Sequence, residues 1–135
     1  MEKNYDRSNR MSAIAILEMV VSGIVVLGGA ALVYYSVDIA GKALGIIHAI
    51  LGLIGISAGF LLWMKSGKAW TVTVWANVMI ISFSIASEIV LSALNSLPSD
   101  QFVDSVIGTI VAVLISTTVI AMLAKPDLKK FLGKS

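Results

Sequence analysis

Glu18, His48 and Glu88 carry chemistry in an unusual setting, because each lies inside a long run of apolar residues. A charged group near the middle of a bilayer costs about 2.5–3.5 kcal/mol on insertion scales, so such residues call for partners or for a function. A carboxyl group there can exchange a proton or hold a cation. It can equally stay protonated and hydrogen-bonded as a structural clasp, and the residues alone leave both readings open. Counting along helices supplies the partners. Glu18 lies seven residues from one end of its apolar run, and Ser57, Asn77 and Ser116 fall at a similar depth in the other three runs. Those side chains are expected to form a polar layer around it. His48 and Glu88 lie five and six residues from the opposite end of theirs, which at 1.5 Å per residue is a shared depth within about 2 Å. A His48–Glu88 hydrogen bond or ion pair is expected.

Other chemistries fare worse. A metal site built from His48, Glu88 and Asp38 or Asp104 lacks the imidazole-rich shell that copper or zinc prefers, so no metal and no cofactor is expected. No serine shares the one histidine with an orienting acid in a recognisable triad, and no glycine-rich phosphate loop is present. The chain has no cysteine, which removes disulfides, iron–sulfur ligation and thiol catalysis. No catalytic residue is assigned, and an enzyme is not expected.

The elements that must position these residues follow from composition. Of 135 residues 58% are hydrophobic and 13% are charged, with a mean hydropathy of +0.94. Typical soluble domains are about 25% charged. A soluble enzyme and a disordered chain are both excluded, leaving an integral membrane protein. Four apolar segments, approximately 11–35, 43–64, 69–94 and 106–124, are each close to the 20 or so residues that span a hydrocarbon core of about 30 Å. They do not alternate as barrel strands would, so helices are expected. The first is too long for a signal-peptide core. The sequence predicts one all-α membrane domain over 1–135, an up-down-up-down bundle of four transmembrane helices with small loops.

Lys and Arg set the orientation. Lys3, Arg7, Arg10, Lys65, Lys68, Lys125, Lys129, Lys130 and Lys134 flank one side, and Lys42 alone flanks the other, among Asp38, Asp100 and Asp104. Both termini are expected in the cytoplasm of a cell whose plasma membrane holds the protein. Trp63 and Trp70 would mark the inner interface, and Tyr34, Tyr35 and Phe102 the outer one. The net charge of +2 then speaks for anionic lipid rather than nucleic acid. The third loop, 95–105, is expected to be an irregular turn on the outer surface. The tail from Pro126 is expected to form one or two helical turns, with Leu128, Phe131 and Leu132 dipping into lipid.

Each span has one small or polar face, and such faces pack inward in lipid. These faces are Ala15, Glu18, Ser22 and Gly29 in the first; Gly45, His48, Gly52, Gly55 and Gly59 in the second; Thr73, Asn77, Ser84, Glu88 and Asn95 in the third; and Ser105, Ala112 and Ser116 in the fourth. Gly55 and Gly59 form a GxxxG pair, a packing device rather than a ligand site. Gly23 and Gly28, with Ser82, Thr117 and Thr118, fall off these faces. They predict a second packing surface toward another membrane subunit or a second copy.

Two resemblances follow. The opening Arg10-Met-Ser-Ala-Ile-Ala-Ile-Leu-Glu18 with Gly23 and Gly28-Gly29, the Trp63…Lys68-Ala-Trp70 hairpin, and the closing Lys125-Pro-Asp-Leu-Lys-Lys-Phe131-Leu-Gly133 resemble a broad class of small four-helix membrane proteins common in archaea. That resemblance implies a fold and no activity. Length, span count and Glu18 are similar to small multidrug-resistance transporters, which implies Glu18 as the residue exchanging a proton for a cationic substrate. The chain departs from that family in having no glycine in its third span and a strong charge bias. Two functions follow as expectations. One is a structural or accessory subunit of a larger membrane complex, such as a respiratory or membrane-oxidase or monooxygenase assembly. The other is a small proton-coupled transporter or channel with membrane-embedded glutamates.

Overall fold

A computed structural model describes the chain from residue 2 to residue 133, with side chains from Tyr5 onward. The side chains of Lys3 and Lys134, counted above, lie outside the described residues. Five helices run in order: α1 (Glu2–Tyr35), α2 (Ile39–Trp63), α3 (Ala69–Leu94), α4 (Ser99–Leu123) and the short α5 (Pro126–Phe131). The first four are long and apolar enough to cross a membrane. They form an all-α four-helix bundle, as the periodicity predicts, and no strand occurs among the described residues.

Three boundaries differ from the sequence reading, and the first is that α1 begins at Glu2, nine residues before the expected span. α2 begins four residues early because Asp38 caps it, its Oδ1 accepting from the Gly41 backbone N–H at 2.7 Å. α4 begins at Ser99 rather than Val106, so most of the expected outer loop is helix and Asp100 sits in its first turn. The connection shrinks to 95–98, where Asn95 takes the left-handed conformation that ends α3 (φ 49°). The Lys65–Lys68 turn makes α2 and α3 antiparallel neighbours, as expected.

α1 and α2 form the closest pair in the bundle. The glycines of α2 explain it. A Cβ placed on Gly45 would lie 2.6 Å from the Gly29 carbonyl oxygen and 2.8 Å from the Val33 nitrogen. One on Gly52 would meet the Ser22 carbonyl oxygen at 2.7 Å, and one on Gly59 the Met19 Cγ at 2.5 Å. Gly55 faces the Ser22 hydroxyl and the Glu18 carboxyl. The seven-residue glycine repeat is thus the seam along which two backbones touch. Gly23 and Gly28 have open space where a Cβ would be and take no part in that seam.

The basic end of the bundle is closed by side chains. Met11, Ile14, Leu62, Ala69, Val119 and Leu123 form an apolar cluster that α5 completes with Leu128 and Leu132. Burial of those two leucines corrects the expectation that the tail dips into lipid. Only Phe131 is partly buried against the cluster. Arg10 reaches Asp127 at 3.8 Å, the Trp70 indole N–H donates to the Leu123 carbonyl at 2.9 Å, and Lys129 lies over the Trp70 ring. The opposite end is tied by a clasp between the two turns. The Ser96 hydroxyl donates to Asp38 Oδ2 at 2.7 Å, and the Val37 N–H donates to the Ser96 carbonyl at 2.9 Å.

Candidate functional site

Two polar sites lie at different depths along the bundle axis. At the first, Glu18 is fully buried. Asn77 Nδ2 donates to Glu18 Oε2 at 2.6 Å and to the Thr73 carbonyl at 2.8 Å, so the expected α1–α3 contact is present. Thr73, Ser22 and Ser116 are also fully buried, and α4 brings Ser116 to this level between Ala112 and Val119. Glu18 Oε1, Asn77 Oδ1 and the hydroxyls of Ser22, Thr73 and Ser116 have no hydrogen-bond partner within the chain. Ser57 leaves the group. It is exposed on the far side of α2 and donates to the Leu53 carbonyl one turn earlier at 3.0 Å, because its position falls nearly half a turn from the glycine face.

The second site lies eleven residues further along α3, about 16 Å. Here a cavity of about 360 Å³ lies between α1 and α4, reached by His48 from α2 and by Ser84 and Glu88 from α3. Its apolar wall includes Ile24, Leu32 and Ala112, and its rim includes the exposed Leu27, Ala31 and Asp104. His48 and Glu88 therefore share a depth and a cavity, as counted, but the expected bond between them does not form. Glu88 turns to α4 instead: the hydroxyls of Ser105 and Thr109 both donate to its Oε1, at 2.6 and 2.7 Å. His48 Nδ1–H donates to the Leu44 carbonyl at 3.0 Å, and its ring tilts against Phe83 with centroids 5.0 Å apart. Two hydroxyl donors on one helix outcompete one imidazole that has a carbonyl one turn away.

Gly28 and Gly108 line this cavity and have open space at their Cβ positions. The off-face glycine at 28 thus makes room within the chain, whereas Gly23 remains outside the cavity. Between the two sites Val21, Val25, Ile80 and Ala112 form an apolar layer, with Leu51 and Ile115 against it.

The sequence reading missed Thr109, and it put Ser105 on the inward face of the fourth span but at the end of the preceding loop. The signal was present, since Ser105 and Thr109 are four apart and share a helix face once α4 starts at Ser99. Of the residues weighed as metal ligands, Asp38 is occupied as a cap and in the clasp while His48, Glu88 and Asp104 line the cavity, and no group of three His, Asp or Glu side chains that could hold a metal occurs among the described residues. No protein-family model, curated protein or solved structure matches the chain.

Proposed function

We propose that the chain is a small proton-coupled carrier for a cationic solute. The observation that supports this reading is the arrangement of its two acids. One carboxyl, Glu18, is enclosed, and the other, Glu88, lines a side-opening cavity, with the Val21/Val25/Ile80/Ala112 layer between them. A carrier needs a site that its solute can reach, here from the lipid, a barrier, and an acid that changes protonation when the barrier moves. The excess of Lys and Arg at the α5 end supports an orientation with both termini in the cytoplasm and the cavity in the outer half of the plasma membrane.

The test is flux. In vesicles holding an imposed pH gradient, wild-type protein should dissipate the gradient faster than protein-free vesicles when sodium, potassium, guanidinium or tetramethylammonium is added outside. Glu18→Gln should abolish that difference with the helical spectrum intact, because the amide keeps the hydrogen-bonding shape but has no acidic proton. Equal rates for wild type, the variant and empty vesicles with all four cations would refute the carrier reading.

A second reading, a lateral accessory subunit of a larger membrane assembly, draws on the outer face of α1. Ile16, Val20 and Leu27 are exposed there, and Gly23 among them offers a close approach that nothing within the chain uses. Gly23→Leu should then weaken comigration with a partner or a second copy after native extraction. A wild-type protein that is monomeric and crosslinks to nothing would refute this reading.

A further inference from the structure

We propose that the cavity between α1 and α4 binds a lipophilic primary amine, with the ammonium group against Glu88 and the apolar chain along Ile24, Leu32 and Ala112. This deepens the carrier reading and rests on it for the use of the cavity, though not for binding itself.

Among the described residues, the charged groups at the cavity are carboxyls only, beside the neutral polar Tyr35, Ser84 and Gln101. Ser105 and Thr109 anchor one oxygen of Glu88 and leave Oε2 without a partner in the chain. The bond from His48 Nδ1–H to the Leu44 carbonyl fixes the proton of the neutral ring on Nδ1, so Nε2 is an acceptor. Asp104 adds a second carboxyl at the rim, and neither lysine nor arginine lines the cavity among the described residues. A ligand that satisfies these groups must bring N–H donors and positive charge. An ammonium group supplies three donors and the counter-charge of a carboxylate.

The remaining wall selects the rest of the molecule. It is mostly aliphatic, and its volume of about 360 Å³ lies in the lower part of the range of small-molecule sites, about 300–1,000 Å³. The glycines at 28 and 108 widen it where side chains would fill it. The rim of Leu27 and Ala31 faces the surroundings of the bundle sideways, so an amphiphile can enter from the lipid with its chain trailing. Such an amine can be a free amphiphile or the headgroup of an amino-phospholipid, which share the ammonium chemistry.

His48 is the single histidine, so its imidazole resonance reports the cavity without assignment ambiguity. Full-length protein in phosphatidylcholine nanodiscs should show a saturable shift of that resonance with decylamine and no saturable shift with decanol. Glu88→Gln retains an oxygen for Ser105 and Thr109 but loses the charge, and should weaken the decylamine response at least tenfold. Ser105→Ala, which frees Glu88 while keeping its carboxyl group, should weaken it less and serves if Glu88→Gln does not fold. Adding phosphatidylethanolamine to the nanodiscs separates the two sources: a shift without decylamine, and competition with it, marks a lipid headgroup, while no effect marks a free amine. Equal responses to decylamine and decanol, or an undiminished response in folded Glu88→Gln, would overturn the proposal. Saturable decylamine binding in a protein that moves no cation would refute the carrier reading alone. Glu88-dependent flux without decylamine binding would refute the ligand class alone.

Discussion

The α1–α2 seam makes a quantitative prediction about two glycines in one bundle. Gly45→Ala adds a methyl group 2.6 Å from the Gly29 carbonyl oxygen and 2.8 Å from the Val33 nitrogen, where ordinary contact begins at 3.4 Å. Both obstacles are backbone, so no rotamer change relieves them and the helices must separate by roughly 0.8 Å, the shortfall from ordinary contact. Overpacking of this kind costs about 1–3 kcal/mol, and an unyielding backbone contact belongs at the upper end. Alanine returns about 1 kcal/mol over glycine through helix propensity, leaving a net loss of about 2 kcal/mol. Gly23→Ala gains the same propensity and meets nothing within 4 Å, so it should stabilise by about 1 kcal/mol. The two variants should thus differ by about 3 kcal/mol. Unfolding in mixed micelles by titration with dodecyl sulfate, followed by far-ultraviolet circular dichroism, measures the difference. A Gly45→Ala variant as stable as Gly23→Ala would refute the close-packed seam.

Further outcomes follow from the other contacts. Glu18→Leu should destabilise by about 1–2 kcal/mol because it strands the Asn77 amide, whereas Glu18→Gln should unfold close to wild type; equal losses in the same micelle titration would remove the Glu18–Asn77 bond from the account. The Gly41 N–H, and then the Ser96 hydroxyl, hold the Asp38 carboxyl below its ordinary range, so its contribution to stability is present above a pH of about 4 and is lost as the pH falls through its folded value. The melting temperature of Asp38→Asn should therefore change less than that of wild type over that acid window. In intact cells, an impermeant thiol reagent should label Ser99→Cys and spare Gly67→Cys, and the reverse pattern would overturn the proposed orientation.

Much of the bundle was legible because lipid makes the inward faces visible. Ala15, Glu18, Ser22 and Gly29 on α1, and Thr73, Asn77 and Ser84 on α3, are all buried as their spacing implies. Asn77 was readable as the partner of Glu18 because both are polar, inward and at one depth. Ser57 has the right depth but the wrong face, which shows that depth alone does not choose partners. The His48–Glu88 pair failed for a different reason. Of its competitors, Thr109 lies within the expected span and Ser105 at the end of a helical extension whose acidic, proline-preceded sequence reads as a loop until Asp100 is recognised as complementing a helix N-terminus. The cavity was not read, because the small residues that leave it open, Gly28 on α1 and Gly108 on α4, lie on different helices and reveal a shared space only once those helices are placed.

The position of α5 also orders the assembly of the protein in time. Leu128 and Leu132 complete the apolar cluster that covers the Glu18 layer at the basic end, and among the described elements they are the last to leave the ribosome. The four spans must therefore enter the bilayer while that end is still uncovered, with Met11, Ile14 and Leu123 lacking their final neighbours. Until α5 docks, the Glu18 layer lacks part of its cover at that end, so enclosure of the carboxyl belongs to the last packing step of the bundle rather than to the insertion of its spans.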